Sequence, residues 1–206
     1  MPAASPILNQ KQKNRIIDLA MVLAASHGWA GLTTRRLAKK TGFSIRAVRT
    51  AFPSRQALLT AFTRRIDHDM VDSVALEDDQ SPHDRLFDLI LCRLEALADY
   101  RAGIARLLRE GGTTPTGLLD ILPAWQGSVR LMADLAFTPP RDLAQQQKIE
   151  NKNGIHPSSK PANPCQLVLL AFIYADTVRV WLKDDSADGA KTMRHLDERL
   201  RRLRLA

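Results

Sequence analysis

Cysteine is scarce in this chain, because only Cys92 and Cys165 occur among its 206 residues and both lie inside apolar helical patterns. We therefore expect neither a disulfide framework nor a cysteine-rich metal site, and a reducing cytoplasm suits the composition. Long apolar runs are also missing: the longest, residues 167–175, ends at Asp176, whereas a membrane-spanning helix needs about 20 residues. The N-terminal residues lack the basic-then-apolar layout of a signal peptide. We expect a cytoplasmic protein without a membrane span.

Motifs of several large enzyme classes are absent as well. The chain has no His-Glu-x-x-His, no Gly-x-Ser-x-Gly and no dinucleotide-binding fingerprint. The run from Gly111 to Thr114 has the glycines of a phosphate-binding loop, but no Lys-Ser or Lys-Thr pair follows it. The five histidines, at positions 27, 68, 83, 156 and 195, have no partner at metal-ligand spacing. We expect no catalytic residues, no metal and no cofactor.

Positive charge is concentrated at the start of the chain. Residues 1–66 hold twelve Lys and Arg against a single acid, Asp18, a net charge of +11, whereas the whole chain carries +8. Residues 67–206 are therefore slightly acidic. A polyanion-binding module joined to a near-neutral sensing or assembly module has this distribution, although a solvated basic face without function would have it too. We predict two domains, 1–66 and 67–206.

Hydrophobic periodicity predicts an all-α fold of about nine helices, because no segment alternates like a half-buried strand for more than a few residues. Residues 138–163 hold four prolines among Gln, Lys, Asn and Ser, which indicates a long loop that is flexible. The predicted helices run over about 11–27, 34–41, 45–52, 55–71, 82–97, 101–110, 117–137, 164–183 and 187–203, the seventh of them capped by Thr116.

Within the basic region, Ala38, Gly42 and Val48 stand at the spacing of a helix-turn-helix. A small residue allows two helices to cross closely at Ala38, a glycine suits the left-handed turn at Gly42, and Val48 fills the core between the helices. Thr33 and Ser44 precede the two helices as N-caps. The spacing alone is common in helical proteins, but here it coincides with both caps and with the highest density of positive charge.

This geometry places the N-terminal part of the helix after Ser44 where it can enter a DNA major groove, which is about 12 Å wide. Arg46 is the candidate for reading a base edge, since a guanidinium pairs with guanine at two points. Arg49, Arg55 and Thr33 are better placed for phosphates, and a solvated surface charge is the alternative role for each arginine. The residues expected on or near the exposed side of this helix are Ile45, Arg46, Ala47, Arg49 and Thr50.

A series of short motifs extends this pattern over Asn14 to Ala61. They are Arg15-Ile16-Ile17, His27-Gly28-Trp29, Leu32-Thr33-Thr34-Arg35, Leu37-Ala38, Gly42-Phe43-Ser44, Phe52-Pro53-Ser54-Arg55 and Leu58-Leu59. In order and spacing they resemble the TetR family of bacterial transcription regulators. The resemblance implies a DNA-binding regulator, and the predicted contact residues are Thr33, Arg35, Ser44, Ile45, Arg46, Ala47, Arg49, Thr50 and Arg55. Where the family commonly has tyrosine and histidine before the phenylalanine, this chain has Arg49 and Ala51.

The resemblance also implies a homodimeric repressor that binds a palindromic operator in double-stranded DNA and is released by a small apolar ligand. The dimer would form through the last two helices, and its predicted contacts are Leu167, Leu170, Tyr174, Val178, Trp181 and Leu196. Burial inside the monomer is the alternative for these residues. The predicted ligand pocket is lined by Leu91, Leu94, Leu108, Trp125, Val129, Met132 and Phe172, for which an ordinary core position is the alternative.

The C-terminal part also resembles the ubiquinone-biosynthesis lipid-binding proteins that share the TetR fold, through the stretch Trp181 to Ser186 with Thr192-Met193 and Leu196-Asp197. This second resemblance implies a lipid-binding carrier as the alternative function. Those proteins do not use a DNA-binding domain, so the basic helix-turn-helix favours the regulator. An apolar or lipid-like effector is compatible with both.

Overall fold

The fold was obtained as a computed structural model, which describes residues 7–77, 79–138, 164–186 and 188–202. Over those ranges the chain forms nine α-helices and one 3-10 helix, Ala98–Tyr100, and no strand, so the predicted all-α fold is confirmed. The α-helices are α1 (Gln10–His27), α2 (Thr34–Thr41), α3 (Ile45–Ala51), α4 (Arg55–Ser73), α5 (Pro82–Ala96), α6 (Arg101–Gly111), α7 (Pro115–Phe137), α8 (Pro164–Trp181) and α9 (Ala190–Arg202). The predicted loop over 138–163 lies outside the described residues except for Thr138.

Side-chain caps mark where helices begin. Asn9 and Gln12 form a capping box at the start of α1, in which each side chain accepts from the backbone N–H of the other at 2.9 Å. The expectation that Thr116 caps α7 is wrong, because the hydroxyl of Thr114 accepts from Gly117 N instead, at 3.2 Å. Pro115 explains the difference: it lacks an N–H and has a fixed φ, both of which suit the first position of a helix.

Contacts between Cα atoms divide the chain into two compact units. The first contains residues 1–65 and 97–125, and the second contains residues 66–96 and 126–206. The first unit thus includes α6, which packs on α1, although α6 is remote from it in sequence. The proposed domain boundary at residue 66 stays a prediction.

In the first unit, α1 packs against both α6 and α2, and α2 packs against α3. Gly103 of α6 permits the close approach, since a Cβ at that position would stand 2.7 Å from the carbonyl oxygen of Met21. A polar contact joins α1 to α4 and the 3-10 helix, because Arg65 Nη2 lies 2.7 Å from Asp18 Oδ1 and 2.8 Å from the Tyr100 hydroxyl. The guanidinium of Arg65 also lies 5.5 Å from the centre of the Tyr100 ring. These contacts secure α1, on which α2 packs.

In the second unit, α5 packs against α8 and α9, which also pack against each other. Arg93 of α5 is buried at 3% exposure, and its Nε pairs with Asp67 Oδ1 at 2.9 Å. Its Nη2 donates to Ser128 Oγ at 2.8 Å, its Nη1 donates to the Tyr174 hydroxyl, and Ser128 in turn donates to Asp67 Oδ2 at 2.8 Å. The buried charge is therefore both paired and hydrogen-bonded, as a desolvated ion requires.

The two faces of α8 correct the predicted dimer interface. Its inward face, together with Leu196 of α9, belongs to the core of the second unit; the buried residues are Leu170, Tyr174, Val178, Trp181 and Leu196. These residues are therefore not available to a second copy, and Leu167 is half-buried. The opposite face exposes Val168, Leu169 and Phe172, at 56%, 46% and 68%. Because α8 is apolar on all sides, its composition did not reveal which face would turn inward.

The link between α8 and α9 is organised by Asp184, whose side chain is buried. Its carboxylate accepts from the backbone N–H of Ser186 at 3.0 Å and of Thr192 at 2.8 Å, and also from both of their hydroxyls. These bonds, led by that from the Ser186 hydroxyl and then that from Thr192, hold the pKa of Asp184 well below its ordinary value. The helix begins at Ala190 rather than at the predicted residue 187.

Candidate nucleic-acid interface

The turn between α2 and α3 has the backbone that the sequence predicted. The hydroxyl of Thr33 accepts from Arg36 N at 3.2 Å at the start of α2, and that of Ser44 accepts from Ala47 N at 3.1 Å at the start of α3. Between the helices, Gly42 has φ 77° and ψ 4°, a left-handed conformation that favours glycine. The order cap, helix, glycine, cap and helix is thus confirmed for this segment.

A small core holds α2 and α3 together. Leu37, Ala38, Val48 and Phe52 are each at most 6% exposed, and the hydroxyl of Thr41 is buried while donating to the Leu37 carbonyl oxygen at 2.7 Å. All three residues of the spacing motif therefore have the predicted steric roles. Since α3 is only seven residues long, this core rather than its own helical propensity must fix its orientation.

The outward side of α3 carries the candidate base-reading residues. Arg46, Arg49 and Thr50 are exposed, and Ile45 is 44% exposed at the start of the helix. Ala47 departs from the prediction, because it is only 2% exposed and lies on the inward side next to Val48. Since α3 turns by about 100° per residue, the six positions from 45 to 50 go more than once around the helix and cannot all face outward. The side chain of Ala47 is therefore not exposed to a DNA groove.

Two of the candidate phosphate contacts lie on one depression. A depression of about 410 Å³ is lined by residues from the loop before α2 and from the start of α4, including Thr33, Ser54 and Arg55. Thr33 is exposed and caps α2, and Ser54 Oγ accepts from Ala57 N at 3.0 Å at the start of α4. Two helix N-termini thus open beside this depression, and helix N-termini favour anions. Arg35 is exposed on the first turn of α2.

Arg55 is partly engaged by protein groups. Its side chain is 39% exposed, its Nε lies 3.5 Å from Asp120 Oδ2, and its Nη1 donates to the Trp29 carbonyl oxygen at 3.4 Å. The indole N–H of Trp29 donates to the same oxygen of Asp120 at 3.1 Å. Sequence reasoning missed this acidic partner, because Asp120 follows Arg55 by 65 positions and no local signal connects them.

A second acid supports the same loop. Glu110 Oε2 accepts from Trp29 N at 2.9 Å, and the carboxylate lies so close to Gly28 that a Cβ there would stand 2.4 Å from Oε2. Gly28 also has φ 77°, a backbone conformation that favours glycine at the end of α1. A hydrogen bond from Arg106 and then one from Trp29 lower the pKa of Glu110, although partial desolvation opposes them. The loop that leads to Thr33 is therefore held by charged groups from α6 and α7.

The residues predicted to line the ligand pocket are divided between the two units, and one of them is exposed. Leu94, Val129 and Met132 are buried in the second unit, and Leu91 is half-buried there. Phe172 is 68% exposed on the outward face of α8, so its assignment to an interior pocket is wrong. Leu108 and Trp125 are half-buried and belong to the first unit.

Comparison with known proteins agrees with this geometry. The family model described as "Bacterial regulatory proteins, tetR family" matches residues 16–62, which span α1 to the first turns of α4. Residues 16–62 thus match the N-terminal region of the TetR family. A second model, COQ9, matches residues 168–205. No curated protein matches the chain.

Solved structures of TetR-family proteins have the same fold over almost the whole chain. A TetR transcriptional regulator from Nitrosomonas europaea ATCC 19718 is 20% identical, with a TM-score of 0.67 over 94% of this chain and 98% of its own. One from Rhodococcus sp. RHA1 is 19% identical, with a TM-score of 0.56 over 96% and 99%. A bacterial regulatory protein of the tetR family from Rhodococcus RHA1 is 20% identical, with a TM-score of 0.52 over 94% and 97%. Within the described residues, no helix is both long and apolar enough to cross a membrane.

Proposed function

We propose that this TetR-family protein is a cytoplasmic, sequence-specific transcriptional repressor that binds a palindromic operator as a homodimer and is released by a small apolar ligand. The observation that carries the proposal is the outward face of α3, which presents Arg46, Arg49 and Thr50 from a helix fixed by a buried core. The surrounding residues 1–66 carry a net charge of +11. Such a face combines groups that can read base edges with a field that attracts DNA.

Within this proposal the contacts have different roles. Arg46 lies in the first turn of α3 and is the candidate for two-point pairing with guanine. Arg49, Thr33 and Arg55 are assigned to phosphates, which position the protein without reading sequence. Arg35 and Ser44 flank them, and Ile45 offers an apolar surface to a thymine methyl group.

The homodimer is assigned to the outward face of α8 in place of the buried residues first predicted. Val168, Leu169 and Phe172 form an exposed apolar stripe of the kind that marks interaction surfaces. A groove of about 520 Å³ beside the stripe is lined by residues of α8 and α9, including Phe172, Arg179 and Arg199. A second copy placing the same stripe against this one would cover it, and two-fold symmetry would match a palindromic operator.

The effector is assigned to the second unit, among Leu91, Leu94, Val129 and Met132. Three of these side chains are buried and all four are apolar, which favours a small apolar ligand over a charged one. Such a ligand releases DNA only if it binds a DNA-incompetent conformation more tightly than a competent one. Addition of the effector to the operator complex is therefore expected to lower DNA affinity in proportion to that difference.

Selection of bound duplexes from a random pool tests the central claim. The full-length protein should recover an inverted repeat, and a variant in which Arg46, Arg49 and Thr50 are all changed to alanine should recover none. Light scattering on the same samples should report a dimer for both. Recovery of no sequence by the wild-type protein, or of a site without two-fold symmetry, would contradict the proposed mode of binding.

A lipid-binding carrier is the second candidate, and the COQ9 match over residues 168–205 favours it. Mass spectrometry of the protein extracted with organic solvent distinguishes the two functions. A stoichiometric lipid together with failure of the DNA selection would support the carrier. A stoichiometric lipid that dissociates when operator DNA is bound would instead identify the effector of the repressor.

A further inference from the structure

The proposed phosphate contact Arg55 already has an anionic partner within its own chain. Its Nε lies 3.5 Å from Asp120 Oδ2, while its Nη1 donates to the Trp29 carbonyl oxygen. At 39% exposure the side chain is neither buried nor free in solvent. A phosphate that approached this guanidinium would therefore meet a group whose charge is already partly balanced.

Asp120 is restrained where it stands. Its side chain is only 17% exposed, and its Oδ2 also accepts the indole N–H of Trp29 at 3.1 Å. Trp29 is itself buried at 2% exposure, and its backbone N–H donates to Glu110. The carboxylate is thus tied to a buried side chain and does not swing freely away from Arg55 when an anion arrives.

The depression at the start of α4 shows where the two anions would conflict. Thr33 and Arg55 line it together, and both are assigned to phosphate in the proposed function. A phosphate held by both would lie beside the carboxylate of Asp120, because that carboxylate is in contact with Arg55. Like charges at such short range repel each other even in a partly solvated site.

We propose that Asp120 competes with the DNA phosphate for Arg55 and so limits the DNA affinity of this protein. The proposal rests on the function proposed above and adds to it an internal anion that weakens binding to every DNA sequence alike. Asp120 touches no base in this scheme, so its effect is on affinity and salt dependence and not on sequence preference.

The variant Asp120→Asn tests the competition directly. Asparagine keeps an oxygen that can accept the Trp29 indole N–H, so the loop is preserved while the charge is removed. We expect tighter binding of both the selected operator and a random duplex, by about threefold to tenfold, with an unchanged ratio between them. The slope of log affinity against log salt should become steeper by up to about one, because Arg55 would then neutralise its phosphate without sharing its charge with Asp120.

Two controls separate competition from a general change in charge. Asp99→Asn removes the same charge from an exposed site in the 3-10 helix of the same unit and should change affinity by less than about twofold. In an Arg55→Ala background, Asp120→Asn should likewise have little effect, because the contested cation is gone. Fluorescence anisotropy across a salt series measures all four variants and the wild type, and thermal unfolding checks that each is folded.

The outcomes are distinguishable. Wild-type protein that binds no DNA overturns the proposed function and this inference with it. Wild-type binding with unchanged or weaker binding by Asp120→Asn overturns the inference alone, because Asp120 would then be neutral or would position Arg55 productively. Equal gains from Asp120→Asn in the presence and absence of Arg55 would also overturn it.

Discussion

Replacing Arg93 with methionine is expected to destabilise the protein far more than loss of a surface ion pair would. Arg93 is 3% exposed and its partner Asp67 has a side chain only 13% exposed. Methionine retains the apolar stem but leaves the Asp67 carboxylate without its cation. Removal of one partner from a buried ion pair costs about 3–5 kcal/mol, whereas an exposed pair contributes about 0–1 kcal/mol.

A variant with a smaller expected loss of stability provides a comparison for Arg93→Met. Tyr174→Phe removes one hydrogen bond to the Arg93 guanidinium but leaves the ion pair and an aromatic ring in place, so we expect a loss of about 1.5–3 kcal/mol. The double variant Arg93→Met with Asp67→Leu removes both charges and should recover much of the loss from Arg93→Met, because an apolar pair often replaces a buried ion pair at little cost.

Urea unfolding followed by far-ultraviolet circular dichroism measures these differences as changes in the free energy of unfolding. A loss of less than about 1 kcal/mol for Arg93→Met would place the pair in the range of solvated ion pairs and refute the reasoning. A double variant no more stable than Arg93→Met would show that the uncompensated carboxylate is not the cause of the loss.

Three further predictions concern DNA binding, assembly and acid stability. Arg46→Ala should relax sequence preference and Arg55→Ala should weaken operator and random DNA equally, as measured by anisotropy; equal effects of both variants on both DNAs would refute the division of roles. Phe172→Glu should raise the dimer dissociation constant by at least about 30-fold in light scattering, whereas Val22→Glu, at an exposed site on α1, should not. Asp184→Ala should lower the melting temperature by more at pH 7 than at pH 3, because the depressed folded-state pKa gives a stabilisation that is complete above the unfolded value of about 3.9, begins to decline below it, and is lost fully only below the folded-state pKa. A difference in melting temperature that does not decrease between pH 7 and pH 3 would contradict this role of the carboxylate.

The helix-turn-helix could be predicted from the sequence because the residues that determine it are close together in the chain. Thr33 and Ser44 cap helices within three residues of themselves, and the left-handed turn at Gly42 depends on one residue without a Cβ. Ala47 was misplaced for a related reason. Its inward direction depends on the rotation of a seven-residue helix about its axis, and a small residue gives little indication of which side is buried.

The roles of the residues on α8 were harder to predict, because the sequence of a long apolar helix does not reveal which of its sides packs against the core. Phe172 was assigned to an interior pocket and Tyr174 to a dimer contact, whereas Tyr174 is buried and Phe172 is exposed. The hydroxyl of Tyr174 is satisfied by Arg93, a partner 81 positions earlier in the chain. A hydrogen bond of this kind offsets the cost of burying the tyrosine hydroxyl.

The amino-acid sequence by itself determined the all-helical class, the start and turn of the DNA-reading motif, and the separation of positive charge into the N-terminal region, because these depend on periodicity, caps and composition. Tertiary structure alone decided which face of α8 is free, that Arg93 is paired in the second unit, and that Asp120 reaches Arg55. Each of these joins groups far apart along the chain. Their proximity follows from how the helices pack, and it cannot be predicted from the spacing of residues along the chain.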